Sequence, residues 1–316
     1  MSTAMGFVGH FTEDLTQIKN IMSSNLKDKN VNVQLLISNL AVVEGKMIRA
    51  IFVLIGASFG KGQKNNLLQI CAAVEILHLA TLVHDDIIDD SNLRRGKSTI
   101  NATNGIKSAL FMGDYLFSES YILFSKSASK ESITNISETI KLICKSEIDQ
   151  FVSAYSLNSS IKDYLRRING KCASLFSLSL SIGAFEGAAD KKIVLNLKRI
   201  GYYCGMAFQL IDDILDITTE KFTLGKPSET DIKKGIYSLP ILIEIKNKNI
   251  ALLNALQLSD QSKVLEIVKT SSSLQKSKEV ARKYTNKALK LIDQLPDSSQ
   301  RLILKSIVET LVIRTY

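Results

Sequence analysis

The fold is decided by residues 67–89, which read LLQICAAVEILHLATLVHDDIID. Apolar side chains recur there at steps of three and four residues, through Leu67, Ile70, Val74 and Leu77. This spacing places them on one face of an α-helix that would pack against a core. Because three aspartates follow, the stretch predicts a core helix that carries carboxylates at its C-terminal end.

Residues that break helices are scarce in the rest of the chain. The 316 residues include three prolines, the first of which is Pro227, and 45% of the residues are hydrophobic. A second helical stripe runs from Ile133 to Ile143, and alternating strand patterns are not apparent. The sequence therefore predicts an all-α protein with a large core, organised as a single domain over residues 1–316.

Breaks between helices are predicted where Gly, Ser, Asn or charged residues cluster. These breaks lie at residues 61–66, 91–98, 125–130, 157–160, 187–191, 218–238 and 297–300. Ser160 with Asp163 indicates a helix N-cap. The longest break, 218–238, is predicted to be a functional loop, because long loops in compact domains usually serve function.

Composition limits the class of partner and the compartment. The formal charge is +9, but the lysines are scattered and not interleaved with aromatic residues, so nucleic acid is not an expected partner. The apolar stretches 50–60 and 173–185 are too short to cross a bilayer of about 30 Å. The N-terminus resembles neither a secretory signal nor a transit peptide, so a cytoplasmic location is expected. The four cysteines form no C-x-x-C pair, which argues against a disulfide framework or a zinc site.

One acidic motif, D-D-x-x-D, occurs twice. Its members are Asp85, Asp86 and Asp89 in the first copy and Asp212, Asp213 and Asp216 in the second. On a helix the first and fifth residues lie one turn apart on the same face, and the three carboxylates are expected to converge. At an effective dielectric of about 20, each close pair repels by roughly 2 to 3 kcal/mol, so the motif would not add stability.

Clustered carboxylates of this kind suit Mg²⁺, which takes few protein ligands and shares its octahedron with water and substrate phosphates. A solvated acidic helix face is the alternative interpretation of one copy. Two copies favour metal binding.

Basic residues near the first motif suggest an anionic ligand. Arg94 and Arg95 precede Gly96, where a turn would present guanidinium groups to phosphate, although a solvated basic loop would look the same. His78 lies two helical turns before Asp85 on nearly the same face, so it is a candidate ligand contact as well as a candidate core histidine. Four further polar candidates are Lys46, Arg49, Lys171 and Lys226, and Gln209 precedes Asp212 by nearly one turn.

Taken together, these residues resemble the trans-polyprenyl diphosphate synthases, class I isoprenoid synthases. The resemblance covers residues 40–245 and is carried by these segments: 82–90 with 94–99, 113–116, 147–150, 164–171, 208–216, 224–227 and 239–240. It is closest to bacterial heptaprenyl diphosphate synthase catalytic subunits. It implies antiparallel helices around a deep central cavity, with the two acidic motifs facing across its mouth. It also implies a homodimer, with a small helper subunit as a further candidate partner.

The resemblance also implies roles for individual residues. Two or three Mg²⁺ ions would be held by the six motif aspartates and would bridge the diphosphate of an allylic substrate, farnesyl or geranylgeranyl diphosphate. Arg94, Lys171 and Lys226 would contact the same diphosphate. Lys46, Arg49, His78 and Arg95 would hold isopentenyl diphosphate. Gln209, with Lys171 and Cys172, would lie near the reacting carbons. Transient contact with a membrane surface would accompany release of the product.

Three motifs depart from the family pattern. Glu44, Met47 and Ala50 stand where the first basic motif usually has glycine, arginine and proline. Cys172 replaces a threonine, and Ile236 after Gly235 replaces a lysine. These changes affect the expected handling of isopentenyl diphosphate and leave the metal chemistry in place.

A long product is expected, from hexaprenyl to octaprenyl with heptaprenyl favoured and nonaprenyl admissible. Ala80 and Thr81 stand where short-chain enzymes of the family usually carry bulky residues, so a growing chain could pass. The alternatives are a farnesyl or geranylgeranyl diphosphate synthase, a terpene cyclase, and a noncatalytic subunit of a heteromeric synthase. Asp212-Asp213 argues against the cyclase, and two intact motifs argue against the noncatalytic subunit.

Overall fold

The computed structural model describes residues 8–40, 45–62, 64–94, 96–218 and 230–313. Within these residues almost all regular structure is helical, which confirms the all-α prediction. The helices are α1 (Thr12–Asn25), α2 (Val31–Asn39), α3 (Ile48–Ala57), α4 (Lys64–Ile88), α5 (Ile100–Asn104), α6 (Ile106–Ser127), α7 (Lys130–Val152), α8 (Ile161–Ile168), α9 (Ser174–Glu186), α10 (Lys191–Thr218), α11 (Thr230–Lys233), α12 (Leu239–Lys246), α13 (Ile250–Gln257), α14 (Gln261–Thr270), α15 (Ser272–Ile292) and α16 (Ser299–Ile313). Two short strands, β1 (Leu93–Arg94) and β2 (Lys97–Ser98), pair antiparallel.

The chain divides into two compact units. The first comprises residues 1–135 and 179–195, and the second comprises residues 136–178 and 196–316. The single domain over residues 1–316 and the central cavity stay predictions. The first acidic motif belongs to the first unit and the second motif to the second unit.

Helix α4 is the central element of the first unit. Ile70, Val74 and Leu77 have no exposed surface, and the helix packs against α1, α3 and α6. By length and composition alone, residues Asn66–Ile88 could cross a membrane, but 67% of the apolar window is buried inside the protein. The sequence analysis overlooked this segment because it counted uncharged residues, and Glu75 interrupts the run. Its burial identifies it as the core helix predicted from its periodicity.

The crossing of α3 and α9 in the first unit depends on a glycine. A Cβ atom on Gly183 of α9 would lie 2.0 Å from the carbonyl oxygen of Val53 on α3. No side chain fits at that distance, so the two backbones touch directly. This contact holds the middle of α3 against α9.

The core of the second unit joins α8 and α10 to the C-terminal helices. Its buried side chains include Leu210, Leu242, Leu252, Val264 and Ala281. The sequence analysis predicted amphipathic helices beyond residue 246 without placing them. The structure resolves that stretch into α13 to α16.

Of the local features, the structure confirms the predicted helix N-cap and adds a β-hairpin that was not predicted. The N-cap is confirmed, since Ser160 Oγ accepts from the Asp163 N–H at 3.1 Å and Asp163 Oδ2 accepts from the Ser160 N–H at 3.3 Å. The β-hairpin was not predicted, because two-residue strands are too short to show alternation. Residues 219–229 of the predicted functional loop lie outside the described residues, and α11 falls within the remainder.

Candidate active site

The first acidic motif lies at the C-terminal end of α4. The Asp89 N–H donates to the Asp85 carbonyl at 2.8 Å, so the helical turn continues past the last residue of α4. Asp90 then takes a left-handed conformation with φ 46° and ends the turn. Asp85 and Asp89 are therefore one helical turn apart on one face, as the spacing predicted.

The second aspartate of this motif is engaged differently. Arg94 Nε donates to both carboxylate oxygens of Asp86, at 2.9 and 3.0 Å, and Nη2 lies 2.8 Å from Oδ1. Asp86 is buried, and Arg94 is about three-quarters buried. This forked ion pair neutralises the buried charge of Asp86. The expected convergence of the three carboxylates stays a prediction.

The hairpin places Arg94 for this contact. Gly96, at φ 78°, allows the tight turn between β1 and β2. Thr99 donates to the Ser91 carbonyl at 2.6 Å and caps α5 through the Ala102 N–H. The predicted turn at Gly96 is therefore present, whereas Arg95 lies outside the described residues.

The second acidic motif lies within α10, and its second aspartate is again held by protein donors. The Tyr164 hydroxyl donates to Asp213 Oδ2 at 2.6 Å, and Gln209 Nε2 donates to Oδ1 at 2.8 Å. Burial of the carboxyl group raises the pKa of Asp213 to about 7, although both hydrogen bonds act to lower it. Asp216 is exposed.

The two motifs therefore share one arrangement. In each, the second aspartate is bonded to neighbouring side chains, while the first and fifth share a helix face. Among the described residues, no group of three or more His, Cys, Asp or Glu side chains is arranged to hold a metal unaided. The two carboxylates that share a helix face in each motif fit Mg²⁺, which is commonly bound through one or two carboxylates together with substrate phosphates.

Lys171 lies in a π-helical turn, Asn169–Ala173, between α8 and α9. Its ammonium group is 2.9 Å from Glu147 Oε1 and 3.1 Å from Oε2. A Cβ on Gly170 would collide with Ser146, so α7 packs tightly against the turn. Cys172 is buried in the same turn. Such π-helical turns are frequent at functional sites.

The predicted isopentenyl diphosphate residues of the first unit lie on two elements. Lys46 is exposed and Arg49 half-buried around the start of α3, and His78 is half-buried on α4. The Ala50 N–H donates to Glu75 Oε1 of α4 at 2.9 Å. Lys226, predicted to contact the allylic diphosphate, lies outside the described residues.

Sequence reasoning missed three residues that hold others in place: Glu75, Glu147 and Tyr164. Glu75 carried a usable signal, since a carboxylate between Val74 and Ile76 in an apolar helix must find a donor when buried. The other two lie in segments quoted for the family resemblance, but nothing in their spacing identifies their partners.

Comparisons with known proteins identify related sequences and structures. Residues 32–274 match the sequence model of the family described as polyprenyl synthetase. Heptaprenyl diphosphate synthase component 2 of Geobacillus stearothermophilus is 35% identical over 277 residues, covering 86% of this chain and 87% of that protein. The crystal structure of heptaprenyl diphosphate synthase from Staphylococcus aureus has a TM-score of 0.92 and 33% identity, covering 97% of this chain and 99% of the other. The crystal structure of polyprenyl synthase from Caulobacter crescentus, complexed with calcium and isoprenyl diphosphate, has a TM-score of 0.91 and 26% identity. The match covers 98% of this chain and 97% of the other.

The ion pair of Asp86 and Arg94 should contribute to stability in the absence of metal. A double-mutant cycle with Asp86→Ala and Arg94→Ala, measured by urea unfolding, should give a coupling free energy of about 1 to 3 kcal/mol. The exposed pair of Glu138 and Lys141, 3.7 Å apart, is the matched control and should couple by less than about 0.5 kcal/mol. Equal coupling in the two cycles would contradict a structural role for Asp86.

Proposed function

The chain belongs to the polyprenyl synthetase family and is a prenyltransferase, and from this we propose that it elongates an allylic diphosphate with isopentenyl diphosphate to a long all-trans polyprenyl diphosphate. The repeated D-D-x-x-D motif carries the proposal. In both copies the first and fifth aspartates share a helix face while the second is held by protein donors. A pair of carboxylates one turn apart is suited to a divalent ion that also binds diphosphate oxygens.

We assign metal contact to Asp85 and Asp89 in the first motif and to Asp212 and Asp216 in the second. Asp86 and Asp213, which the sequence analysis also assigned as ligands, are given positioning roles. Two or three bound Mg²⁺ ions would supply charge stabilisation for the departing diphosphate. The relative complexed with calcium and isoprenyl diphosphate supports a divalent ion in this family's sites.

The protein's own cations complete the electrostatic environment. Arg94, Lys171 and Lys226 are proposed to contact the allylic diphosphate, and Lys46, Arg49, His78 and Arg95 are proposed to hold isopentenyl diphosphate. Such preorganised donors stabilise the charge that develops as the carbon–oxygen bond breaks. Glu147 keeps the Lys171 ammonium group at a defined place in the π-helical turn.

The proposed condensation requires no nucleophilic side chain of the protein. The allylic carbon–oxygen bond breaks, and pyrophosphate leaves with the electron pair. The double bond of isopentenyl diphosphate attacks the allylic cation, and one carbon–carbon bond forms. A proton is then lost to the pyrophosphate, which regenerates an allylic double bond in the longer product. Gln209, Lys171 and Cys172 are proposed to lie near these carbons.

A long product, with heptaprenyl favoured, is proposed from the helix face below the first motif. Thr81 lies one turn before Asp85 and is half-buried, and its hydroxyl donates to the His78 carbonyl at 2.7 Å. Ala80 is fully buried. Neither side chain is bulky, so this level of the helix offers little obstruction to a growing chain. The Geobacillus and Staphylococcus relatives, named as heptaprenyl diphosphate synthases, support this length.

A homodimer is proposed from the exposed apolar side chains of α6. Ile106, Leu110, Phe111 and Ile122 remain 42 to 67% exposed on that helix. Large apolar side chains left exposed on a single chain are favourable material for a protein contact, and a two-fold dimer would use the same surface of both chains. The name component 2 of the Geobacillus relative supports a helper subunit as a second partner. A cytoplasmic location and transient membrane contact during product release complete the proposal.

Metal dependence tests the assigned ligands. With farnesyl diphosphate, labelled isopentenyl diphosphate and Mg²⁺, elongation should cease on chelation, and Asp85→Asn or Asp89→Asn should lower kcat by about 100-fold or more. Asp90→Asn is the matched control, because Asn tolerates its left-handed backbone, and should stay near wild type. Calorimetry of Mg²⁺-dependent farnesyl diphosphate binding compares the Asp85→Asn and Asp89→Asn variants with Asp90→Asn in the absence of turnover. Asp89→Asn as active as Asp90→Asn would refute the assignment.

Product length is tested by obstructing the helix face. Thr81→Phe should shift the chromatographed products to shorter chains, because the ring projects from the face that carries Asp85. Leu79→Phe is the control and should leave the product profile unchanged, since Leu79 lines a cavity on the other side of α4 together with Asp86. Wild-type products that stop at geranylgeranyl, or an unchanged profile for Thr81→Phe, would disprove the long-product proposal.

The proposed dimer face is tested by adding charge. Phe111→Glu should convert a wild-type dimer to monomer in sedimentation equilibrium, because a buried carboxylate would be left without a partner charge. Leu258→Glu, at an 80% exposed leucine of the second unit, should leave the dimer intact. A monomeric wild type, or a dimeric Phe111→Glu variant, would contradict the assignment.

A further inference from the structure

Glu75 is a buried carboxylate within the most apolar part of α4. It is 9% exposed, and its helical neighbours from Ile70 to Leu77 have no exposed surface. A charge in such surroundings requires donors to offset the loss of hydration. One donor is the backbone N–H of Ala50, 2.9 Å from Glu75 Oε1. The residue therefore joins α4 to the first turn of α3.

This first turn of α3 depends on a partner from outside the helix. Met47 is the N-cap, with φ 46° and no side-chain capping hydrogen bond. The Ile51 N–H closes the first helical turn on the Met47 carbonyl at 3.0 Å. The Ala50 N–H precedes that bond and has no acceptor within its own helix. Glu75 supplies the acceptor, and its negative charge is favourable at a helix N-terminus.

A second side chain of α4 holds the same residue. Cys71 Sγ lies 3.6 Å from the Ala50 carbonyl oxygen, as a donor to it. Cys71 and Glu75 are one helical turn apart, so α4 engages both backbone polar groups of Ala50. The start of α3 is thereby fixed in register along α4.

We propose that Glu75 is a positioning residue for isopentenyl diphosphate binding, an inference that rests on the proposed function. Arg49 directly precedes Ala50 and Lys46 lies four residues before it, while His78 follows Glu75 by three residues on α4. The hydrogen bond to Glu75, supported by the Cys71 contact, therefore ties the segment that carries two of the proposed diphosphate contacts to the helix that carries the third. Its loss weakens isopentenyl diphosphate binding selectively, because the acidic motifs and Lys171 are held by other contacts.

Three variants test the inference through the split between KM and kcat. Glu75→Ala should raise KM for isopentenyl diphosphate by about tenfold, because it leaves a buried donor without an acceptor. KM for the allylic diphosphate and kcat should stay within about threefold of wild type. Glu75→Gln keeps an acceptor oxygen and should stay close to wild type.

The third variant, Glu75→Ala with Ala50→Pro, removes both ends of the hydrogen bond. Proline has no N–H to satisfy and is tolerated in the first turn of a helix, so most of the lost affinity should return. Glu244→Ala is the control for a merely structural effect. Glu244 is 5% exposed and accepts from Asn249 Nδ2 at 2.9 Å, so its loss should lower the melting temperature without a selective change in KM.

The inference is overturned if Glu75→Ala alters only the melting temperature, or alters kcat and both KM values alike. It is also overturned if the double variant binds isopentenyl diphosphate no better than Glu75→Ala. A wild-type protein that consumes no isopentenyl diphosphate would instead refute the proposed function itself, so the two failures are distinguishable.

Discussion

Repulsion among the three carboxylates of each D-D-x-x-D motif is the constraint on which the site depends. The motif places three acidic side chains in five residues, and a fold gains no stability from leaving them together. The structure resolves the conflict in the same way twice. Arg94 neutralises Asp86, and Tyr164 with Gln209 satisfies Asp213. The remaining two aspartates of each motif stay on one face, where a divalent ion and a diphosphate would offset their charge.

Helix α4 carries several of the residues to which we assign functions in the first unit. Glu75 anchors the start of α3, Thr81 lies one turn before the first aspartate, and Asp85 lies near the C-terminal end. Because the helix is packed on several sides, these side chains are fixed relative to one another. A buried scaffold of this kind holds charged groups in place without relying on loops. The apolar character that would suit α4 to a membrane span by length and composition is the same property that makes it a core helix.

The sequence predicted the long helices and the spacing of the aspartates, because periodicity and helical geometry are local properties. It could not predict which carboxylates would face protein donors. The Arg94 contact depends on a hairpin of two-residue strands, and the Tyr164 contact spans 49 residues of sequence. Glu75 was readable in principle as a charge inside an apolar helix, but its partner is a backbone N–H that no side-chain pattern reveals. The contacts that the sequence did not reveal depend on tertiary pairing between distant residues and not on helix or strand propensity.

The most direct measurement of the central claim is a crystal structure with Mn²⁺ and a non-hydrolysable allylic diphosphate analogue, with the ions located by anomalous scattering. We expect ions bound by Asp85 and Asp89 in the first motif and by Asp212 and Asp216 in the second. Asp86 should stay paired with Arg94, and Asp213 should stay bonded to Tyr164. Ions coordinated by Asp86 and Asp213, or two motifs without any ion, would contradict it.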